Sequence, residues 1–342
     1  MMMRTLGLLT LVILLLGCQP KPQPKTPALA GLEAWLAAEH EADRFHGSVV
    51  VGNREGILYE KHVGLANRGW GIPIDSTTRF DMASLNKSFV GALMLLAQQA
   101  GKLHVSDRLV DRLSSFSYSG QFHPDITLHD MLTHRSGLPD YDGVAEELRT
   151  DNYRSLKRSH FSSAEYVDFI SQLPPMAAPG ERFYYSNFAY HLLSIVLEEV
   201  YQMPFDALLQ RQICDPLGLE HTFSSTDNAA VHPRVAEGYL WREGAWERNG
   251  FIDLTLGRRI FTTGRELYRW GQAMTDDRLL PDSLRQQLYA NHLQGVNSPI
   301  AYGYGWVPYT PGGAYPWVIW SWTGLILFME AIPRATGPCW RL

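Results

Sequence analysis

The run from Ser84 to Ala100 constrains this chain most. Ser84-Leu85-Asn86-Lys87 opens it, Phe89, Val90, Ala92 and Leu93 make it apolar, and Gly101-Lys102 supplies a stop signal. The pattern predicts a long helix over 84–100. Its apolar run marks it as buried and central, so other layers must pack around it.

The flanking sequence supplies those layers. Leu32, Trp35 and Leu36 recur at helical spacing, predicting a helix over 32–42. Gly47–Val51 and Ile57–Tyr59 are β-type runs around Gly52-Asn53-Arg54-Glu55-Gly56, the pattern of an antiparallel hairpin. Downstream, Thr127–Asp130 reads as a capping box opening a short helix, and Asn187–Val200 as a helix with Leu192, Ile195, Val196 and Val200 on one face. Thr263-x-x-Glu266 looks box-like again, ahead of Leu267, Trp270 and Met274, and 302–309 is strand-like. There is no internal repeat and no second linker. The expected architecture is an α/β sandwich: an antiparallel β-sheet flanked by helices, with a mainly helical region inserted and a site at their junction.

Composition removes several function classes. At 342 residues with 45% hydrophobic and 19% charged residues, the chain is neither disordered nor a coiled coil. Lys and Arg number 30 against 35 Asp and Glu, a net charge of -5, and no stretch is strongly basic, so no nucleic-acid partner is expected. The three cysteines, Cys18, Cys214 and Cys339, make neither a disulfide framework nor a zinc spacing, and Cys214 reads as a buried structural thiol. His40-Glu41-Ala42-Asp43-Arg44 begins like H-E-x-x-H but has Arg44 where the second ligand belongs. No metal or other cofactor is expected. The chain also lacks a G-x-S-x-G elbow and a Gly-rich phosphate loop.

The N-terminus reads as an export signal. Arg4 precedes an apolar stretch, Leu6–Leu16, too short for a membrane-spanning helix. Leu15-Leu16-Gly17-Cys18 resembles a bacterial lipobox, which implies cleavage after residue 17 and lipidation of Cys18. Residues 18–30, rich in proline near Gln19–Lys25, then form a semi-rigid tether to a domain over 31–342. The expected location is the periplasmic or extracellular face of a bacterial membrane, with the lipid as the one membrane contact.

The chemistry is carried by two short motifs. On a helix, Ser84 and Lys87 share a face, so the ammonium can approach the hydroxyl. A serine needs a base within hydrogen-bond reach, and a helix N-terminus favours a developing alkoxide. Tyr185-Ser186-Asn187 follows the loop Pro179–Phe183 and precedes a helix. A phenol can act as general base beside cations, and an amide can hold a substrate carbonyl or amide. A second copy, Tyr289-Ala290-Asn291, is expected inside a helix, where i and i+2 face apart. His134 reads as part of a structural turn at a helix end, and Arg258-Arg259 as surface residues rather than a carboxylate-binding pocket.

In this order the segments Phe80–Lys87, Gly101–Leu103, Ile126–Pro139, Pro179–Phe183 with Tyr185–Asn187, Asp215–Leu219 and Tyr302–Trp306 resemble the β-lactamase-related serine hydrolases of the class C type. That family includes class C β-lactamases, D-alanyl-D-alanine carboxypeptidases, D-aminopeptidases and esterases. The resemblance spans about 45–306 and implies a β-lactamase/transpeptidase-like fold. It implies Ser84 as acylated nucleophile, Lys87 as proton partner, Tyr185 as general base and Asn187 as substrate orienter. It also implies an oxyanion hole that uses the Ser84 N–H and a second N–H from an edge strand. The substrate would be an ester, a D-amino-acid peptide or a β-lactam.

The family's third motif is K-T-G, H-T-G or H-x-G. Trp322-Thr323-Gly324 stands nearest that place and would contact substrate, with an indole that can only donate. Trp317, Trp320, Trp322 and Trp340 crowd an ending with little alternation, the pattern a frameshift near 310–320 would leave. The closing part is therefore expected to be atypical or missing after about 310. The alternative to an enzyme is a non-catalytic relative that binds cell-wall peptide or a protein partner.

Overall fold

The computed structural model describes residues 27–141, 162–227, 230–248, 258–296, 298, 300–308 and 317–318. Helix α1 spans Pro27–Glu41, so it starts four residues inside the stretch read as tether. Ala28, Leu29 and Ala30 are helix formers, and a proline in the first turn loses no hydrogen bond there. Leu36 anchors this helix in the core. The expected hairpin follows as β1 (Gly47–Asn53) and β2 (Gly56–Val63), antiparallel, with a bulge between Val51 and Gly52. Its turn is closed by Asn53, whose Oδ1 accepts the N–H groups of Glu55 and Gly56 at 2.8 and 3.2 Å.

Strand β3 (Phe80–Asp81) leads into a 3₁₀ turn, Ala83–Leu85, and then α2 (Asn86–Gln99). The α-helix therefore begins two residues later than predicted. From Lys87 through Leu95 every residue of α2 is buried, which bears out its reading as a central helix. Phe89 stacks on Trp270 with ring centroids 4.1 Å apart, and Trp270 Nε1 donates to Ser88 Oγ at 3.2 Å.

Helix α3 (Leu128–Leu132) carries the predicted box, Thr127 with Asp130, and α4 (Ser163–Ser171) carries another, Ser162 with Glu165. Helix α5 (Asn187–Tyr201) packs against α2 and α3. A three-stranded antiparallel sheet places β5 (Arg259–Thr262) between β3 and β4 (Phe223–Ser225). Met82 N–H then donates to Ile260 O at 2.9 Å, extending this pairing to the edge of the nucleophile turn. Helix α6 (Gly264–Ala273) lies on β1. Thr263 caps α6, but the capping box is not reciprocal. The buried Glu266 carboxylate turns away to accept from His221 N–H at 2.8 Å and Thr222 Oγ1 at 2.6 Å.

Helix α7 (Asp282–Tyr289) ends at the second Tyr-x-Asn copy, so that copy is not inside a helix as expected. Ala290 is already extended, with ψ 141°. The segment Tyr302–Trp306 crosses α2 at backbone distance. A Cβ on Gly91 would fall 2.3 Å from the Tyr304 carbonyl oxygen, and one on Gly305 would fall 2.2 Å from that of Lys87. Gly305 also has φ +80°, which a side chain disfavours. Cys214 is buried as expected, and burial first, then the nearby carboxylates of Glu266 and Asp215, push its thiol up to about 12.

Candidate active site

The site is assembled from both sides of α2. On the sheet side, Ala83 has φ +45°, an unusual conformation for a residue with a side chain. Asp81 holds it. One carboxylate oxygen accepts the Ala83 N–H at 2.9 Å, and the other pairs with Arg259 Nη2 at 2.6 Å. Arg259 is thus no surface residue, because β5 lies beside β3 and turns its guanidinium onto Asp81. Arg258 is buried as well. Its guanidinium pairs with Glu198 of α5 and donates to Ser163 Oγ at 2.9 Å, and its carbonyl accepts from Asn86 Nδ2 at 3.3 Å. Arg258 ties the strand to α5 and α4, and Arg259 ties it to β3.

The structure brings Ser84, Lys87, Tyr185 and Asn187 together. Tyr185 OH lies 2.8 Å from Ser84 Oγ. Lys87 is buried, its Nζ 4.7 Å from the Tyr185 ring centroid and 5.5 Å from that of Tyr190. It donates to Asn187 Oδ1 at 2.6 Å. The amine thus faces two aromatic rings and one amide acceptor. Asn187 is held in turn by Asp140, which accepts its backbone N–H and its Nδ2–H, each at 3.0 Å.

His134 is fully buried with φ +56°, which agrees with its reading as a structural turn. Its ring lies 4.3 Å from that of Tyr185. Nδ1 accepts the Ser186 N–H at 3.0 Å, which leaves Nε2 to bond Tyr302 OH at 3.1 Å. Burial, with the Lys87 charge as a second cause, holds this imidazole well below its ordinary range. A neutral ring with Nδ1 as acceptor fits that environment. His134 therefore fixes the loop that carries Tyr185.

Sequence reasoning missed Asp140 and Asp81. Asp140 directly follows the quoted Ile126–Pro139 segment, and Asp81 lies within Phe80–Lys87, but neither has a spacing that signals its partner. Cys18, Trp322, Thr323 and Gly324 lie outside the described residues, as do the signal segment and most of the closing part. A surface cleft of about 450 Å³ lined by Lys102, Arg112 and Glu199 sits beyond the far end of α2. At 1.5 Å per residue that is about 20 Å along the helix from Lys87, too far to serve this site. Among the described residues no cluster of side chains could hold a metal ion.

Chemically, the arrangement offers a serine oxygen with a phenol oxygen in proton-transfer range and a cation beside that phenol. Penicillin-binding protein 4* of Bacillus subtilis is 26% identical over 83% of this chain and 64% of its own length. The chain thus spans less than two thirds of that relative. The crystal structure of a penicillin-binding protein from Bacillus halodurans superposes with a TM-score of 0.67 at 26% identity, covering 82% of this chain and 86% of that one. A D-amino acid amidase from Ochrobactrum anthropi shares the fold, with a TM-score of 0.65 at 20% identity over 86% and 83% of the two chains. The family model described as Beta-lactamase matches residues 32–334, most of the sequence, and the chain belongs to that β-lactamase-fold family.

Proposed function

We propose that this chain is a serine hydrolase that works through an acyl-enzyme on Ser84. The 2.8 Å contact between Tyr185 OH and Ser84 Oγ carries the reading. In the proposed cycle Ser84 Oγ attacks the substrate carbonyl carbon while its proton passes to a Tyr185 phenolate. The resulting oxyanion is met by backbone N–H donors that include that of Ser84. The tetrahedral intermediate collapses, the bond to the leaving alcohol or amine breaks, and the Tyr185 proton goes to that leaving group. Water then attacks the acyl carbon, gives a proton to Tyr185, and the serine leaves with a proton regained. The Lys87 ammonium, over the Tyr185 ring and tied to Asn187, stabilises the phenolate form through the cycle.

The substrate class we favour is an ester or a D-amino-acid peptide ahead of a β-lactam. Trp322 in the third motif lacks the cation that would meet a substrate carboxylate. The lipobox-like Leu15–Cys18 supports export and anchoring by a lipid on Cys18. No helix among the described residues is long and apolar enough to cross a membrane.

The test is intact-mass spectrometry of the chain after exposure to an activated ester, a D-alanyl-D-alanine peptide and a β-lactam. An adduct in the parent that is absent from Ser84→Ala is expected. A parent that is never acylated, with Ser84→Ala binding the same ligands equally well, overturns the enzyme reading. It would leave a non-catalytic binder of cell-wall peptide, for which the Trp322 substitution is the supporting observation.

A further inference from the structure

The geometry points to Asp140 as a positioning residue that sets which end of the Asn187 amide faces Lys87. The inference rests on the proposed pairing of Lys87 with Ser84 and Tyr185. Asp140 comes from the loop after α3, and Asn187 begins α5. Both Asp140 oxygens are engaged, one with the Asn187 backbone N–H and one with Nδ2–H, each at 3.0 Å. The backbone contact fixes the carboxylate against the helix start. The side-chain contact then selects one amide rotation, because an ionised carboxylate only accepts. Turning the amide over would set Oδ1 against the carboxylate and Nδ2 against the Lys87 ammonium, an acceptor on an acceptor and a donor on a donor. The rotation seen places Oδ1 2.6 Å from Lys87 Nζ.

This changes what Asn187 does. Its carbonyl oxygen is committed to Lys87 and one amide hydrogen to Asp140, so one hydrogen remains for a substrate. The residue is first a holder of the lysine. Asp140 acts on Lys87 through it, and the ammonium stays in register over the Tyr185 ring. Nothing in the tripeptide predicts this, since Asp140 lies 47 positions away.

A double-mutant cycle tests it. Asp140→Asn keeps size but can offer an amide donor to an amide donor, so the Asn187 rotation is no longer selected. The expected loss is about 10- to 100-fold in acylation rate with KM within about 2-fold, the signature of misplacement rather than lost binding. Adding Asn187→Asp reverses both polarities. The new amide at 140 accepts the backbone N–H and donates to the new carboxylate at 187, whose other oxygen accepts from Lys87. The KM of the double variant should rise, because the carboxylate at 187 has no hydrogen left for a substrate, but its acylation rate at saturation is expected to recover at least 10-fold over Asp140→Asn. An Asp140→Asn enzyme with parental kcat, or two losses that simply multiply, overturns the inference. Hydrogen exchange of the Asn187 side-chain amide, followed by NMR, reads the same contact without turnover. It should be slow in the parent and at least 10-fold faster in Asp140→Asn. Equal exchange overturns the inference even where the parent acylates, whereas slow exchange in a parent that never acylates sinks only the hydrolase reading.

Discussion

The two Tyr-x-Asn copies have opposite fates. In Tyr185-Ser186-Asn187 the phenol meets Ser84 Oγ, and the amide meets Lys87 and Asp140. In Tyr289-Ala290-Asn291 the phenol donates to the Met274 carbonyl at 2.9 Å, and Asn291 Oδ1 accepts the N–H groups of Leu293 and Tyr302 at 3.0 and 3.3 Å. One copy spends its polar groups on side chains from distant segments that can move protons. The other spends them on backbone groups and ties a helix end to a loop. The same residue types give a chemical site or a structural knot according to what faces them. The copies are also connected. Asn291 steadies Tyr302, Tyr302 bonds His134, and His134 lies on the Tyr185 ring.

Replacing the phenol separates the copies most sharply. Tyr185→Phe should lower the acylation rate by about 10²- to 10⁴-fold, as loss of a general base does, measured by stopped-flow with an activated ester. Tyr289→Phe should leave that rate within about 2-fold. Equal effects from the two variants would mean that Tyr185 is not the base.

Gly305→Ala tests the connection between them. A Cβ 2.2 Å from the Lys87 carbonyl, on a backbone at φ +80°, forces the loop off α2. Destabilisation of about 3 kcal/mol is expected by urea unfolding, from overpacking plus the left-handed conformation. Parental stability would show that the loop moves without resistance.

His134 predicts a pH dependence with a definite sign. Unfolded, it takes a proton near pH 6.5. Folded, burial and the Lys87 charge keep its affinity for that proton well below normal. The unfolded chain therefore binds more protons as pH falls below about 6.5, and native stability declines there. The unfolding free energy should fall less steeply on the acid side in His134→Gln. An unchanged slope would mean the imidazole charges freely in the fold. His191, buried and similarly shifted, acts in the same direction and remains in the variant.

Asn291→Ala should show the smallest effect, about 1 kcal/mol for the lost bonds to Leu293 and Tyr302, read as a small shift in melting temperature at unchanged acylation rate. A large loss of activity would make the second copy part of the site rather than its support.

What the sequence made legible was local or periodic. The buried central helix, the β1–β2 hairpin and the box at Thr127–Asp130 rest on spacings of one to four residues, and all are present. Ser84 with Lys87, and Tyr185 with Asn187, could be proposed for one site because each pair lies within one short motif. The misreadings share a different origin. Arg258 and Arg259 are charged residues in a short segment, so a solvated position is the ordinary expectation. Only the packing of α5 and β3 against β5 brings Glu198 and Asp81 to them. The helix through Asn291 stops early because Asn291 Oδ1 accepts two later N–H groups that a helix would not present to it. Asp140 escaped notice for the same reason, since its partner is set by tertiary contact.

The left-handed Ala83 bears on how sharply the nucleophile can be aimed. A glycine there would relieve about 1–2 kcal/mol of steric conflict and return about 0.5–1 kcal/mol of chain freedom to the unfolded state. Overall stability would change little. The number of shapes open to the turn would change much more, because glycine samples both hands of the backbone map. With alanine, Asp81 and Arg259 press the chain into one awkward pose and few others compete with it. Discomfort in the backbone thus becomes stiffness in the serine, and the width of the Ser84 Oγ distribution, rather than its mean position, is what Ala83→Gly would enlarge.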